Sequence, residues 1–324
     1  MLIGKINIDA QIKIEAVTFS FFLCFFPSMC EKKVQLFCIH FFDDHHKMLV
    51  VSVKMFMMAI LKYFVNYFLL VYTFFMDILQ LSHYLDNLLD IKEIKDSSNA
   101  INGLQVQNTG DIKKVGLAVD LCMATIEKAV AAECNMMFVH HGMLWGGVKP
   151  IRGNFYDKVS TMICENLGLY SAHLPLDMHP VLGNNKVLAD QLELNELEPF
   201  GEYEGQKIGF KGRLKSLSVE ELGAKLEGKL GSPVKVIGSG EVQTLGIVSG
   251  GAADILSQAA VAGLDAYLTG EGSNHHYHEA IENKCVLILA GHYATETGGV
   301  KAVGKHLEEQ FGIKTEFIDY PTGI

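Results

Sequence analysis

The chain has 324 residues, is 49% hydrophobic and carries a formal charge of −10 at neutral pH, which is enough apolar material for a buried core in roughly one to three domains. Residues 1–75 hold seven Lys against five acidic side chains, so residues 76–324 carry −12. An acidic body with no basic stripe repels a phosphate backbone, and no nucleic-acid partner is expected.

Residues 1–75 contain 13 of the 19 Phe and one of the 31 Gly. They include the apolar runs Thr18–Pro27 and Met55–Phe75. The second is 21 residues long, enough to span about 30 Å of hydrocarbon at about 1.5 Å per residue, although Lys62 and Asn66 interrupt it. The first has the length of a signal-peptide apolar region, yet Asp9 and Glu15 precede it and no small-residue cleavage site follows. The reading adopted is a cytoplasmic protein translated from Met76. The alternatives are a membrane anchor through 55–75 and an ordered soluble extension. Cys24, Cys30, Cys38, Cys122, Cys134, Cys164 and Cys285 form no CxxC pair or close cluster, so no disulfide framework is expected and a reducing compartment fits.

From residue 76 the pattern changes. Ile78, Leu81, Leu85, Leu88 and Leu89 recur at helical spacing, which predicts an amphipathic opening helix. Asn102-Gly103 marks a turn. Strands at 115–119, 136–139 and 169–172 then alternate with helices at 124–133 and 157–167. A second series follows: strands at 245–248, 266–268 and 286–290, helices at 253–262, 274–283 and 297–311. Short, continuously apolar strands separated by helices predict α/β architecture with parallel-rich sheets covered by helices.

The two series align. Residues 115–142 lie without a gap over 245–272, placing Gly116 on Gly246, Ala129 on Ala259, Gly142 on Gly272 and His141 on Glu271. Further along, "SAHLPLD" lies over "AGHYATE", with His173 on His292 and Asp177 on Glu296. Coincidence of βαβ patterning is the competing explanation, and the doubled H-x-x-x-[D/E] after an apolar strand argues against it. The expected organisation is two pseudo-repeated units, about 76–200 and 201–324.

Strand ends now carry His140-His141, His173 with Asp177, Glu271, and His292 with Glu296. In an open parallel sheet the crevice lies beyond the strand carboxyl ends, where such groups can converge. Imidazoles mixed with carboxylates suit Zn, Fe, Mn, Ni or Co, and the set is large enough for two divalent ions sharing a bridging oxygen. Any one of these histidines alone is more often a hydrogen-bonded structural residue. Gly142 gives the backbone room to turn after the pair. His292 and Glu296 stand at i and i+4, one face of a helical turn. Pro175 disfavours a helical Leu174, so His173–Asp177 is expected to be a loop. Of Glu271, His275, His276 and His278 in "EGSNHHYHEA" only some are expected to face the site, with His275 and His276 free to be solvated.

"NGLQV" (Asn102–Val106), "VHHG" (Val139–Gly142), "SAHLPLD" (Ser171–Asp177), "LTGE" (Leu268–Glu271) and "AGHYATETGG" (Ala290–Gly299) together resemble the dinuclear-metal family named for interaction with the yeast NGG-one protein. Its members are often catalogued as GTP cyclohydrolase I type 2 homologues. The resemblance covers about residues 76–324 and leaves 1–75 without a counterpart. It implies metal ligands His140, His141, Asp177, His292 and Glu296, with Glu296 bridging. It also places His173, Glu271 and His278 near the metals, His173 as a supporting or additional ligand. It implies the short form without an inserted domain, and a ring-shaped homohexamer.

Two functions follow. In the first the protein is a two-metal hydrolase acting on an unidentified small molecule, with Glu271 or His278 moving a proton. The catalogue name points to opening of the guanine ring of GTP, but no Walker-type loop is present and "IGSGEV" (Ile237–Val242) is too short a glycine signal to cradle a nucleotide. In the second it is a non-catalytic metal-holding interaction protein. A spare acid or base beside the metals favours the enzyme.

Overall fold

In a computed structural model the described residues are 76–323, together with β1 (Lys13–Thr18) and β2 (Gln35–His40). β1 and β2 pair antiparallel, Lys13 opposite His40, and belong to a different unit from the one that begins at Thr73. Residues 19–27 and 55–75 lie outside the described residues, and with them the alternative of a membrane anchor through 55–75. Among the described residues no helix is long and apolar enough to cross a membrane.

The second unit contains two sheets. The first has the spatial order β13 (Lys314–Phe317), β4 (Lys114–Asp120), β5 (Met136–His141), β6 (Gly168–Ser171), β3 (Gly103–Val106), and only β3 runs antiparallel to its neighbour. The second has the order β7 (Asn195–Tyr203), β8 (Gln206–Ser218), β10 (Glu241–Ile247), β11 (Ala266–Thr269), β12 (Val286–Leu289), β9 (Lys235–Ile237). Its centre, β10-β11-β12, is parallel, and β7, β8 and β9 join antiparallel.

Alternation along the central strands explains why each sheet is covered twice, since successive side chains point to opposite faces. Met136, Phe138 and Tyr170 face a core shared with Ile78, Leu81 and Leu85 of α1 (Ile78–Leu88) and with Val300, Val303 and Leu307 of α10 (Thr297–Phe311). Met137, Val139 and Leu169 face the other way, onto Ile126 of α2 (Met123–Ala131) and Met162 of α3 (Asn154–Cys164). In the second sheet Leu245, Leu268 and Ile288 meet Leu188 of α5 (Asn184–Gln191) and Leu222 and Leu226 of α6 (Val219–Leu230). Tyr267 and Leu287 meet Leu256 of α7 (Leu256–Val261) and Ala280 of α8 (Asn274–Asn283). Each such Leu or Ile contributes about 1.5–3 kcal/mol relative to exposure. The opening helix starts where Asp77 and Gln80 form a reciprocal capping box.

The expected repeat is present in the pairing register. Val115 lies opposite Met136 and Leu245 opposite Ala266, both pairs related by 130 residues. The next pairing is Met136 with Gly168 against Ala266 with Val286, an offset of 118. The histidines His173 and His292 are 119 apart, so they are one residue out of strand register. Gly291, at φ 90°, is the in-register counterpart of His173 and supplies the additional residue before His292.

Three expectations change. His173–Asp177 is not a loop: α4 (Leu174–Asp177) is a single helical turn with Pro175 at its start, where the missing N–H has no helical acceptor to lose. The sheets do not divide at one point near residue 200, because β13 returns to pair with β4 and α10 packs on the first core. The helix expected at 253–262 opens with a 3-10 turn, Ala253–Ile255, before α7.

Candidate metal centre

β5 ends on His140 and His141, and the alternation of a strand sends the two rings different ways. His140 is fully buried; His141 is partly exposed. His140 Nε2 lies 3.5 Å from Asp177 Oδ2 and 3.4 Å from Glu296 Oε1. His141 Nε2 lies 3.6 Å from Glu296 Oε2, and His292 Nε2 lies 3.3 Å from Glu296 Oε1. Two triads result, His140 with Asp177 and Glu296, and His141 with His292 and Glu296, each with its ligand atoms within 4.8 Å of one another. The adjacent imidazoles thus serve two positions joined by one carboxylate.

The opposite nitrogen of each ring is tied back. His140 Nδ1 is 2.9 Å from the Ala172 carbonyl, His141 Nδ1 2.8 Å from Asp120 Oδ1, and His292 Nδ1 3.0 Å from Glu271 Oε1. Asp177 Oδ1 accepts from Asn184 Nδ2 at 2.8 Å and Ser249 Oγ at 3.0 Å, which leaves Oδ2 facing His140. Such outer hydrogen bonds fix tautomer and aim in metal-binding histidines.

The donor set fits metal ions on two observations. His140 Nε2 and Glu296 Oε2 are buried without a hydrogen-bond partner, which folded proteins rarely tolerate. Moreover, 3.3–3.6 Å between ligand atoms exceeds a good hydrogen bond and matches the separation of about 3.4 Å between two tetrahedral ligands at about 2.1 Å from one ion.

Charge is concentrated accordingly. Burial resists protonation of His140, yet the Asp177 and Glu296 carboxylates outweigh it and push the imidazole up to about 10. His292 is also opposed by burial and is raised to about 9 by Glu296 and Glu271. Burial would raise Glu296, but His140 and His292 hold it well below the usual carboxylate range. A cation entering here meets ionised carboxylates and displaces protons from imidazoles.

Gly250 makes the assembly possible. At φ 70° it adopts a left-handed conformation, and a Cβ there would stand 2.2 Å from Glu296 Oε1.

The other expected residues divide. His173 sits with His140 and His141 as a third cluster. Its Nδ1 is 2.8 Å from Asp96 Oδ1, whose carboxyl burial would raise but His173 holds low. Glu271 is at the rim, bonded to His292. His278 is exposed, with its ring edge-on to Tyr277 and outside the metal-capable clusters of the described residues. His276 is not solvated: it is 4% exposed, accepts the Ser273 N–H on Nδ1 and faces Asp254 through Nε2 at 3.0 Å. His275 is exposed beside it.

Sequence reasoning missed Asp96, Asp120, Asn184, Ser249 and Trp145. Asp120 carried a readable signal, an acid ending an apolar strand level with His141, its pairing partner in β5. Asn184, seven residues after Asp177, opens the next helix without any pattern that marks it, and Ser249 is 72 residues away.

An α/β scaffold that gathers His, Asp and Glu at the carboxyl ends of its parallel strands defines a protein able to hold metal ions. The chain belongs to the Duf34/NIF3 (NGG1p interacting factor 3) family, whose pattern matches residues 76–323. It is similar to a GTP cyclohydrolase 1 type 2 homolog of Deinococcus radiodurans, 38% identical over 248 residues and 76% of this chain against 94% of that one. A Pyrococcus abyssi protein of the same name is 41% identical over 247 residues, 74% of this chain and 97% of its own. Among solved structures it is similar to a Thermus thermophilus protein, at 36% identity and TM-score 0.71 over 77% of this chain and all of that one. It is also similar to reduced HcgD from Methanocaldococcus jannaschii, at 26% identity and TM-score 0.66 over 76% and 98%.

Proposed function

We propose that the protein is a dinuclear metal-dependent hydrolase acting on a nucleotide or another phosphorylated small molecule. The observation that carries this reading is the convergence of five side chains on two positions that share Glu296, with the far side of each imidazole already hydrogen-bonded. His140, Asp177 and Glu296 would hold one divalent transition-metal ion, and His141, His292 and Glu296 the second. When bound, such a pair lowers the pKa of a shared water and polarises the oxygen under attack.

The chain's own groups do the rest. Asn184 and Ser249 keep Asp177 presenting one oxygen, and Asp120 and Glu271, on Nδ1 of His141 and His292, keep Nε2 of each ring aimed at Glu296. Glu271, with its side chain 44% exposed at the rim, is placed to take and return a proton, and His173 Nε2 is a second candidate steered by Asp96. His278, exposed on α8 and outside the metal-capable clusters of the described residues, has less to support that role. A cytoplasmic setting fits the free Cys122, Cys134, Cys164 and Cys285, and a homohexamer, tested by light scattering, completes the reading.

Elemental analysis followed by turnover on a panel of nucleotides and phosphoesters tests the proposal. About two ions per chain and metal-dependent hydrolysis are expected. Two ions without turnover on any substrate would leave a metal-holding interaction protein instead, and no more than trace metal after reconstitution would defeat both.

A further inference from the structure

The stretch from Gly142 to Gly153, "GMLWGGVKPIRG", contains Lys149 and Arg152 and no acidic residue, in a body that is otherwise strongly acidic. It follows His141 directly and is held at its base, where Gln105 Oε1 accepts the N–H groups of Met143 (2.8 Å) and Leu144 (3.2 Å). The Gly146 N–H donates to the Asn99 carbonyl at 2.8 Å. Gly146 and Gly147, at φ 81° and 86°, turn the chain back immediately after Trp145. That turn brings Lys149 Nζ to 4.0 Å from where a Cβ on Gly146 would stand, so the ammonium lies beside the residue next to Trp145.

Trp145 is the chain's single Trp, and it does not belong to the hydrophobic cores. It is 39% exposed, with its ring edge-to-face to His173 at 4.9 Å and to His141 at 5.5 Å. A large aromatic side chain left partly in water normally packs on apolar neighbours or serves an interface or ligand. Here its fixed contacts are imidazoles of the candidate metal centre. Two T-shaped contacts hold the indole against the candidate metal centre, and the uncovered part is a flat apolar surface on the same turn that carries Lys149.

We infer that Trp145 is the wall on which a flat heteroaromatic ring of the substrate stacks while Lys149 meets its phosphate, so that the substrate is nucleotide-like. The inference rests on the proposed metal-centre reading for the identity of the site. It narrows the substrate class, because a sugar phosphate or an aliphatic phosphoester has no ring to present. Base–aromatic stacking is tolerant of which base is offered, so the wall selects for a base without choosing among bases.

The single Trp makes the test direct. Zinc-reconstituted protein, its zinc content measured first, is titrated with guanosine 5′-monophosphate, guanosine and ribose 5-phosphate while Trp fluorescence is followed, and affinities of variants are taken by calorimetry. The nucleotide is expected to quench Trp145 and to bind at least about tenfold more tightly than ribose 5-phosphate, within the range of stacking contributions. Trp145→Phe should keep nucleotide affinity within about threefold and Trp145→Ala should lose about tenfold or more. Lys149→Gln should weaken the nucleotide and leave guanosine unchanged. Ribose 5-phosphate binding as tightly as the nucleotide, or Trp145→Ala matching the unaltered protein, overturns the inference. If zinc is present and the nucleotide gives no response, the stacking wall is wrong and the metal centre stands. If zinc is not retained, the metal-centre reading fails, and the same titrations on the metal-free protein still decide the stacking.

Discussion

The two halves of the unit that carries the candidate metal centre share a scaffold and differ at its rim. Asn135 and Asp265, related by the same 130 residues as the strands, clamp equivalent backbone: Asn135 Oδ1 accepts from Lys113 and Lys114 N–H, and Asp265 Oδ2 from Gln243 and Thr244 N–H. The helix before each clamp ends on a left-handed residue, Glu133 at φ 58° in one half and Gly263 at 69° in the other. At the strand ends the equivalence stops. Asp120, which steers His141, corresponds to Gly250, which clears space for Glu296. His141 corresponds to Glu271, which steers His292. Repetition supplied two sets of strand ends whose residues meet, His141 and His292 with ring centroids 5.4 Å apart, and divergence of a few rim residues made one asymmetric site from them.

The sharpest way to break that asymmetry is at its shared member. Glu296→Gln removes the charge common to both triads and should reduce retained metal from about two ions per chain to well under one, read by elemental analysis, with the circular dichroism spectrum preserved. Next come the exchanges at the diverged pair. Gly250→Ala places a Cβ against Glu296 and a side chain in a left-handed conformation costing about 1–2 kcal/mol, so both metal retention and Tm should fall. Asp120→Gly only frees His141 Nδ1 and should weaken metal binding by about 10–100-fold without a comparable loss of Tm. Equal effects from the two substitutions would show that the halves are not specialised as described.

A pH comparison separates loaded from metal-free protein. His140 and His292 in the metal-free protein are raised to about 10 and about 9, above their ordinary 6.5. Each therefore stabilises the metal-free fold fully below about pH 6.5 and loses that contribution as pH rises through 9 and 10. A bound ion replaces those protons, so the gap in Tm between zinc-loaded and chelator-treated protein should widen from pH 6.5 to 9. A gap that is constant, or that narrows, contradicts the assignment of these two ring nitrogens as ligands. A smaller effect is expected at Glu133→Gly, which copies the other half's residue into a left-handed position and should stabilise by about 0.5–1 kcal/mol, measured by denaturant unfolding.

What the sequence made legible follows from this division. Short, continuously apolar runs between helices and the gapless alignment of 115–142 with 245–272 were enough to recover the parallel strands, because burial on both faces leaves little choice of residue. His140, His141, Asp177, His292 and Glu296 were legible through the five ordered motifs. The hairpin β7-β8 and strand β9 were not, since their burial patterns mix exposed and buried positions and resemble no clean period. β13 was hidden for the same reason: an edge strand of four residues, half exposed, is recognised only once its partner β4 is in place. Ser249 reaches Asp177 across 72 residues of chain, a property that local spacing does not encode.

A last comparison concerns the two clamps. Asp265 Oδ2 accepts the Gln243 and Thr244 N–H groups at 3.0 and 2.8 Å and the Thr244 hydroxyl at 2.8 Å. Burial would raise its pKa, but these donors hold it below the ordinary 3.8. A lowered carboxylate contributes stability above its unfolded pKa of about 3.8 and loses it as pH falls through the lower folded value. Asp265→Asn retains an acceptor for both N–H groups, as Asn135 does in the other half, so at pH 7 it should cost no more than the charge-assisted part of those bonds, about 1 kcal/mol. The difference from the unaltered protein should shrink as pH falls through that lowered value. The reverse exchange is not symmetrical. Asn135 Nδ2 also donates to the Asp111 carbonyl at 2.7 Å, so Asn135→Asp loses that bond and sets a carboxylate against a carbonyl oxygen, costing about 1–3 kcal/mol. Denaturant unfolding of both variants at pH 7 and pH 3 tests the pair, and an Asp265→Asn cost as large as that of Asn135→Asp would mean the two clamps are not mechanically equivalent.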